Sequence, residues 1–146
     1  MLQQQEYVGL LIGAARRGIK QAVLRLARPL RLTPPQFWFL NAARELPGAS
    51  LGAIARRQHM DAPTASRVAE SLARRGLLHI QPDVLDRRSV HVELTAAGLK
   101  LAQRIFPLAA GVRGAIVQGM SRREEDALRR SLRKVVRNLE SLGGER

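Results

Sequence analysis

The chain has 146 residues, 45% of them hydrophobic, and a formal net charge of +13. That length and composition suit one globular domain with a real core and exclude a disordered polypeptide. The absence of cysteine excludes disulfides, thiolate metal sites, cysteine nucleophiles and thiol-based redox sensing together.

The first predicted element is a helix, because Val8, Leu11, Ala15, Ile19, Ala22 and Leu26 recur every three or four residues. It should stop near Pro29. In the following LTPPQFWFL, Thr33 caps a second helix, Pro34 takes its first position, and Gln36 completes a capping box. That helix is expected to run to about Leu46 and end at Pro47-Gly48. Ser50 caps a short third helix carrying Leu51, Ile54 and Ala55, and after Gln58-His59-Met60 a fourth starts at the cap Asp61. Gly76 ends the fourth helix. Leu78 and Ile80 then alternate with His79 and Gln81, giving a strand to pair with Val90 to Leu94. Thr95 caps a long fifth helix in which Pro107 should introduce a kink. Ser121 and Glu124 form a capping box for a sixth, with Leu128, Leu132, Val135, Leu139 and Leu142 at heptad-like spacing. Two helices joined by a tight turn and followed by a two-stranded hairpin make a winged helix-turn-helix. The expected fold is therefore mainly α with a small β-hairpin wing.

The apolar run Val8 to Ile12 is interrupted by Gly9 and falls far short of the about 20 residues that span a bilayer. No positive leader with a cleavage site is read, so a cytoplasmic location and no membrane contact are expected. His59, His79 and His91 are scattered, and no cofactor or metal is expected. No Gly-rich phosphate loop and no nucleophile beside a base is found, which argues against an enzyme.

The charge favours a polyanionic partner, of which nucleic acid is the commonest; arginine-rich coding bias is the competing explanation. It is concentrated at the two ends: +5 over residues 1–49, +2 over 50–94 and +6 over 95–146. Arg16, Arg17, Arg25, Arg28 and Arg31 either meet flanking phosphates or simply solvate outer helix faces.

At about 100° per residue, the fourth helix places Ala65, Val68, Ala69 and Leu72 on one side. Pro63, Arg67, Glu70 and Arg74 fall on the other, flanked by Thr64 and Ser71 with Ser66 to one side. Arginine pairs bidentately with guanine, and Ser or Thr bonds a base or a phosphate, in a major groove that admits a helix. The helix N-terminus offers backbone N–H groups to a phosphate. An ordinary solvated helix face carries the same residue types, so the hairpin matters: its tip holds Asp86-Arg87-Arg88 beside the helix, where a minor groove would attract arginine. Asp86 is placed to hold Arg88 extended by a salt bridge.

From LTPPQFWFL through GASLGAIARRQHMDAPTASRVAESLARRGLL to DVLDRRSVHVELTAAG, roughly residues 30–100, the chain resembles MarR-family transcriptional regulators. The most specific part is Asp86-Arg87-Arg88 followed by Val90 to Thr95 and Gly98. The resemblance implies a lobe at 30–100 that binds double-stranded DNA, with residues 1–29 and 101–146 supplying dimerisation helices. It implies a homodimer on a palindromic site, with Thr64, Ser66 and Arg67 in the major groove and Arg88, oriented by Asp86, in the minor groove. The full candidate DNA-binding set is Ser50, Pro63, Thr64, Ser66, Arg67, Ser71, Arg74, Asp86, Arg87 and Arg88. Ile80 stands where the resemblance leads one to expect a basic residue, which puts a wing-anchoring contact in doubt.

Many members bind small anionic aromatic compounds, and the resemblance implies such an effector without identifying it. Tyr7, Arg16, Trp38 and Phe39 are the candidates to line its cavity; a core role is the favoured alternative for each aromatic. A repressor is the leading reading. An architectural DNA-binding protein with little sequence preference and a winged-helix protein-interaction module remain the alternatives.

Overall fold

The computed structural model describes residues 5–86 and 88–144. These form six helices and one hairpin: α1 (Val8–Ala27), a 3-10 turn (Arg28–Leu30), α2 (Pro34–Glu45), α3 (Leu51–Arg57), α4 (Ala62–Arg74), β1 (Leu78–Pro82), β2 (Val90–Leu94), α5 (Ala96–Ile116) and α6 (Arg122–Gly143). The expected mainly helical fold with a two-stranded wing is what forms. Two compact units divide the chain, residues 1–112 and 113–146.

Local chemistry sets the boundaries in the first unit. Thr33 Oγ1 accepts the Gln36 N–H and Gln36 Oε1 accepts the Thr33 N–H, closing the capping box on α2. Ser50 Oγ accepts the Ala53 N–H to start α3, and Asp61 Oδ1 accepts the Thr64 N–H at 2.7 Å to start α4. Gly76, at φ 71°, takes the left-handed conformation that ends α4, and the Leu77 N–H reaches back to the Leu72 carbonyl. Thr95 Oγ1 accepts the Gly98 N–H and donates to the Gly76 carbonyl, tying the start of α5 to the end of α4. α5 continues through Pro107, with Ile105 and Ala109 buried on either side of it.

The core gathers Val23 of α1, Phe37, Phe39 and Leu40 of α2, Ile54 of α3 and Leu72 of α4, closed by Val92 of β2 and Ile105 of α5. On α1 only Val23 and Ala27 are buried; Val8, Leu10 and Leu11 are 65%, 66% and 49% exposed. The periodicity located the helix, but only its C-terminal half meets the core.

β1 and β2 pair antiparallel with Leu78 opposite Leu94 and Gln81 opposite His91. Ser50 adds a one-residue antiparallel bridge to His91 on the free edge of β2, and the Val92 N–H donates to the Ala49 carbonyl. The wing is thus anchored directly to the connection between α2 and α3. Ile80 is half-buried and packs against the core opposite Val92, so it serves the wing's inner face.

In the second unit, Ser121 and Glu124 form the expected capping box on α6. None of the residues of α6 is buried. Leu132, Leu139 and Leu142 of its apolar stripe are 40%, 60% and 77% exposed.

Candidate nucleic-acid interface

α4 buries Ala65, Val68, Ala69 and Leu72, the four residues that the helical spacing assigned to one side. The opposite side is open: Pro63, Arg67, Glu70 and Arg74 are exposed, with Thr64 and Ser66 half-buried at its margins. Arg67 Nη2 donates to Thr64 Oγ1 at 3.4 Å, so these two side chains form one polar group a turn into the helix. The N-terminus of α4 is less open to an anion than expected. Pro63 has no N–H, the Thr64 N–H is taken by Asp61, and the carboxylate places negative charge there. That hydrogen bond, first among the causes, holds the Asp61 pKa below its ordinary 3.8. Arginine and hydroxyl side chains, more than the helix terminus, provide what this face has for a nucleic acid.

Ser71 faces inward. Its hydroxyl donates to the Val68 carbonyl at 2.8 Å and accepts Gln36 Nε2 at 2.9 Å, which locks α4 to α2. Its proton is engaged inside the fold and is not available to a ligand. Ser50 is half-buried, with its hydroxyl oxygen capping α3. Arg75, outside the candidate set, donates to the Arg31 carbonyl at 2.6 Å.

The wing tip is organised by carboxylates. Asp83 Oδ1 accepts the Leu85 N–H at 2.8 Å and the Asp86 N–H at 3.3 Å. Asp86 Oδ1 accepts the backbone N–H of Arg88 at 3.0 Å. Asp86 therefore sets the backbone from which Arg88 projects, a different device from the salt bridge anticipated. Arg88 is exposed; Arg87 lies outside the described residues. Behind the tip, His91 Nε2 lies 2.6 Å from Asp83 Oδ2, and His91 Nδ1 lies 3.1 Å from the Gly48 carbonyl oxygen. Nothing in the sequence pattern singled out His91, because its two partners are 8 and 43 positions away.

The four candidate effector residues are not brought together around a described cavity. Tyr7 is 76% exposed, Phe39 is fully buried in the core, Arg16 is exposed and Trp38 is half-buried. Trp38 stands edge-on to Phe37, with ring centroids 5.2 Å apart. Phe39 acts as core and presents no surface to a ligand. A cavity of about 230 Å³ opens instead among Ala43, Arg44, Pro47, Gly48, Glu93, Leu94 and Leu99. Arg44 at its wall lies over the Phe106 ring, 4.2 Å from the centroid. Among the described residues no group of histidines and carboxylates is placed to hold a metal, and no helix is long and apolar enough to cross a membrane.

Residues 32–89 match the sequence profile of the MarR family. The HTH-type transcriptional repressor NicR of Pseudomonas putida is 31% identical over 113 residues, covering 77% of this chain and 72% of NicR. The chain belongs to the MarR family. Among solved MarR-type structures, BpsR of Bordetella bronchiseptica, whose DNA binding is regulated by 6-hydroxynicotinic acid, has a TM-score of 0.75 and 30% identity. That match covers 90% of this chain and 99% of BpsR. MepR of S. aureus in its DNA-binding conformation reaches a TM-score of 0.81 at 22% identity, over 92% of this chain and 99% of MepR; at that identity the likeness is one of fold. Membership of the MarR family makes the chain a DNA-binding transcriptional regulator and not an enzyme.

Proposed function

We propose that this MarR-family regulator is a repressor that binds a palindromic DNA site as a homodimer. The observation that carries this reading is the open face of α4, where Thr64 and Arg67 are hydrogen-bonded partners, on the same lobe as a wing that projects Arg88. Thr64, Ser66 and Arg67 read the major groove, Pro63 and Arg74 border them, and Arg88 enters the adjacent minor groove. Ser50 positions the start of α3 beside the phosphate backbone, and Asp86 sets the backbone under Arg88. The likeness to NicR, a repressor, supports the direction of regulation.

Dimerisation is supported by apolar surface that one protomer leaves uncovered: Val8, Leu10 and Leu11 on α1 and Leu132, Leu139 and Leu142 on α6. A two-fold pair that buries these stripes sets two α4 helices about 34 Å apart, one turn of DNA. Release by a small anionic aromatic acid is supported by the likeness to BpsR; Arg16, Tyr7 and Trp38 are the residues proposed to receive it.

Selection from a random duplex library by the purified protein tests the reading. A two-fold symmetric winner, preferred at least about 1,000-fold over scrambled DNA, is the expected result, and that duplex then serves to screen hydroxylated pyridine and benzoic acids for release. No enriched sequence, with affinity for every duplex falling steeply in salt, would instead make the protein an architectural binder. The net charge of +13 favours that second reading, but residues 50–94, which carry α4 and the wing, hold only +2.

A further inference from the structure

We propose that His91 is a positioning residue for DNA recognition, an imidazolium clamp that fixes the wing tip to the α2–α3 connection and lets go when it loses its proton. The inference rests on the reading of the wing as a DNA contact.

The geometry around the ring decides its protonation. Nε2 faces Asp83 Oδ2 at 2.6 Å and Nδ1 faces the Gly48 carbonyl at 3.1 Å. Both partners are acceptors, since a carbonyl has no proton and a carboxylate has none at neutral pH. A neutral imidazole has one N–H and would turn a lone pair towards one of these oxygens. Only the doubly protonated ring satisfies both. The charged groups that face it agree. Asp83 from the wing loop and Glu93 from its own strand both favour the cation. Gln81, its partner on β1, and Gly48 and Ser50 beside β2 are uncharged. Arg44 of α2 borders the cavity that Gly48 and Glu93 share and is drawn over Phe106.

What the ring holds in place matters for function. Asp83 uses its second oxygen to accept the Leu85 and Asp86 N–H groups, and its own N–H donates to the Ser89 carbonyl. Asp86 in turn accepts the Arg88 N–H. The order is therefore Gly48, His91, Asp83, the tip backbone, Arg88. On the other side, Gly48 leads into Ser50, the cap of α3. Loss of the proton removes one of two hydrogen bonds in the middle of this chain and frees the segment that carries Arg88.

The direction of titration follows. The Asp83 hydrogen bond, then the Gly48 carbonyl, raise the His91 pKa above the ordinary 6.5. The His91 hydrogen bond, with the Leu85 N–H, lowers that of Asp83 below 3.8. A raised histidine contributes stability that is fully present below 6.5 and is lost as pH rises through the folded value. Wing order, and with it affinity for DNA, should decline on the alkaline side.

The test uses the full chain, its Asp83→Asn and His91→Phe variants, and the duplex that the wild type enriches from a random library. Imidazole nitrogen shifts and amide hydrogen exchange at Leu85 and Asp86 are followed in the free protein, and Kd in the complex. In the wild type, protection corrected for intrinsic exchange should fall at least about fivefold between about pH 6 and about pH 9, with Kd rising by a similar factor. Asp83→Asn is the discriminating variant: its amide N–H can donate to a neutral Nε2 while its oxygen keeps the Leu85 and Asp86 N–H groups, so the wing stays ordered and the pH step disappears. His91→Phe should lose protection and affinity at every pH. A wild-type ring that titrates at or below 6.5, or a step that survives Asp83→Asn, overturns the clamp. A protonated clamp with a pH-independent Kd on the enriched duplex overturns its link to recognition. If no duplex is enriched, the DNA reading fails by itself while the free-protein measurements still judge the clamp.

Discussion

Replacing Gly98 by Ala tests the packing that sets the wing against α5. A Cβ built on Gly98 falls 1.9 Å from the Leu77 carbonyl oxygen and 2.9 Å from its carbon. Ordinary contact begins at 3.4 Å, so the backbone must yield by 3.4 minus 1.9, or 1.5 Å. The oxygen is not free to swing aside, because it also accepts the Thr95 N–H at 3.2 Å. In open space Gly→Ala inside a helix would stabilise by about 1 kcal/mol; here a clash of about 3 kcal/mol, the upper end of overpacking costs, should outweigh that gain and leave a net loss of about 2 kcal/mol. At about 2–4 °C per kcal/mol for a chain of this size, Tm should fall by about 4–8 °C. Thermal unfolding followed by circular dichroism at fixed protein concentration reads it, with Gly52→Ala as control. The Gly52 Cβ would meet only the flexible end of Arg56 at 3.4 Å and Ser50 Oγ at 4.0 Å, so that variant should hold or gain slightly. A Gly98→Ala protein as stable as the wild type, or more so, would refute the close approach of α5 to the Leu77 carbonyl just before β1.

Thr33→Ala removes the capping box on α2 and should cost about 1 kcal/mol, a fall of about 2–4 °C by the same melting assay. Acid should uncap α4 late: the lowered Asp61 pKa means the cap persists above 3.8 and is lost as pH falls through the folded value below it. The Thr64 amide shift, followed by NMR, should report that transition. Arg88→Ala should reduce the slope of log Kd against log salt by about one and weaken any preference for A·T-rich flanks, both measured by fluorescence anisotropy.

The parts of this molecule that the sequence made legible are those governed by neighbours in the chain. Capping at Thr33, Ser50, Asp61, Thr95 and Ser121 depends on residues three positions apart, and the buried side of α4 follows from helical spacing alone. Resemblance of the wing to the MarR pattern pointed to the family. What escaped notice depends on distant partners. Ser71 looks like part of the reading face until Gln36, 35 positions away, takes its hydroxyl. His91 looks like an incidental strand residue until the fold brings Gly48 and Asp83 to its two nitrogens. Phe39 follows Trp38 in the chain, yet the turn of α2 buries it completely.

The most direct test of base reading by α4 is the affinity of wild type and Arg67→Ala for the enriched duplex, its single base-pair variants and a scrambled duplex. Arg67→Ala is expected to lose about 1–3 kcal/mol on the enriched duplex and to become indifferent to one base pair in each half-site, with little change on scrambled DNA. An equal loss on every duplex, with all base preferences intact, would contradict it and reduce Arg67 to a phosphate contact.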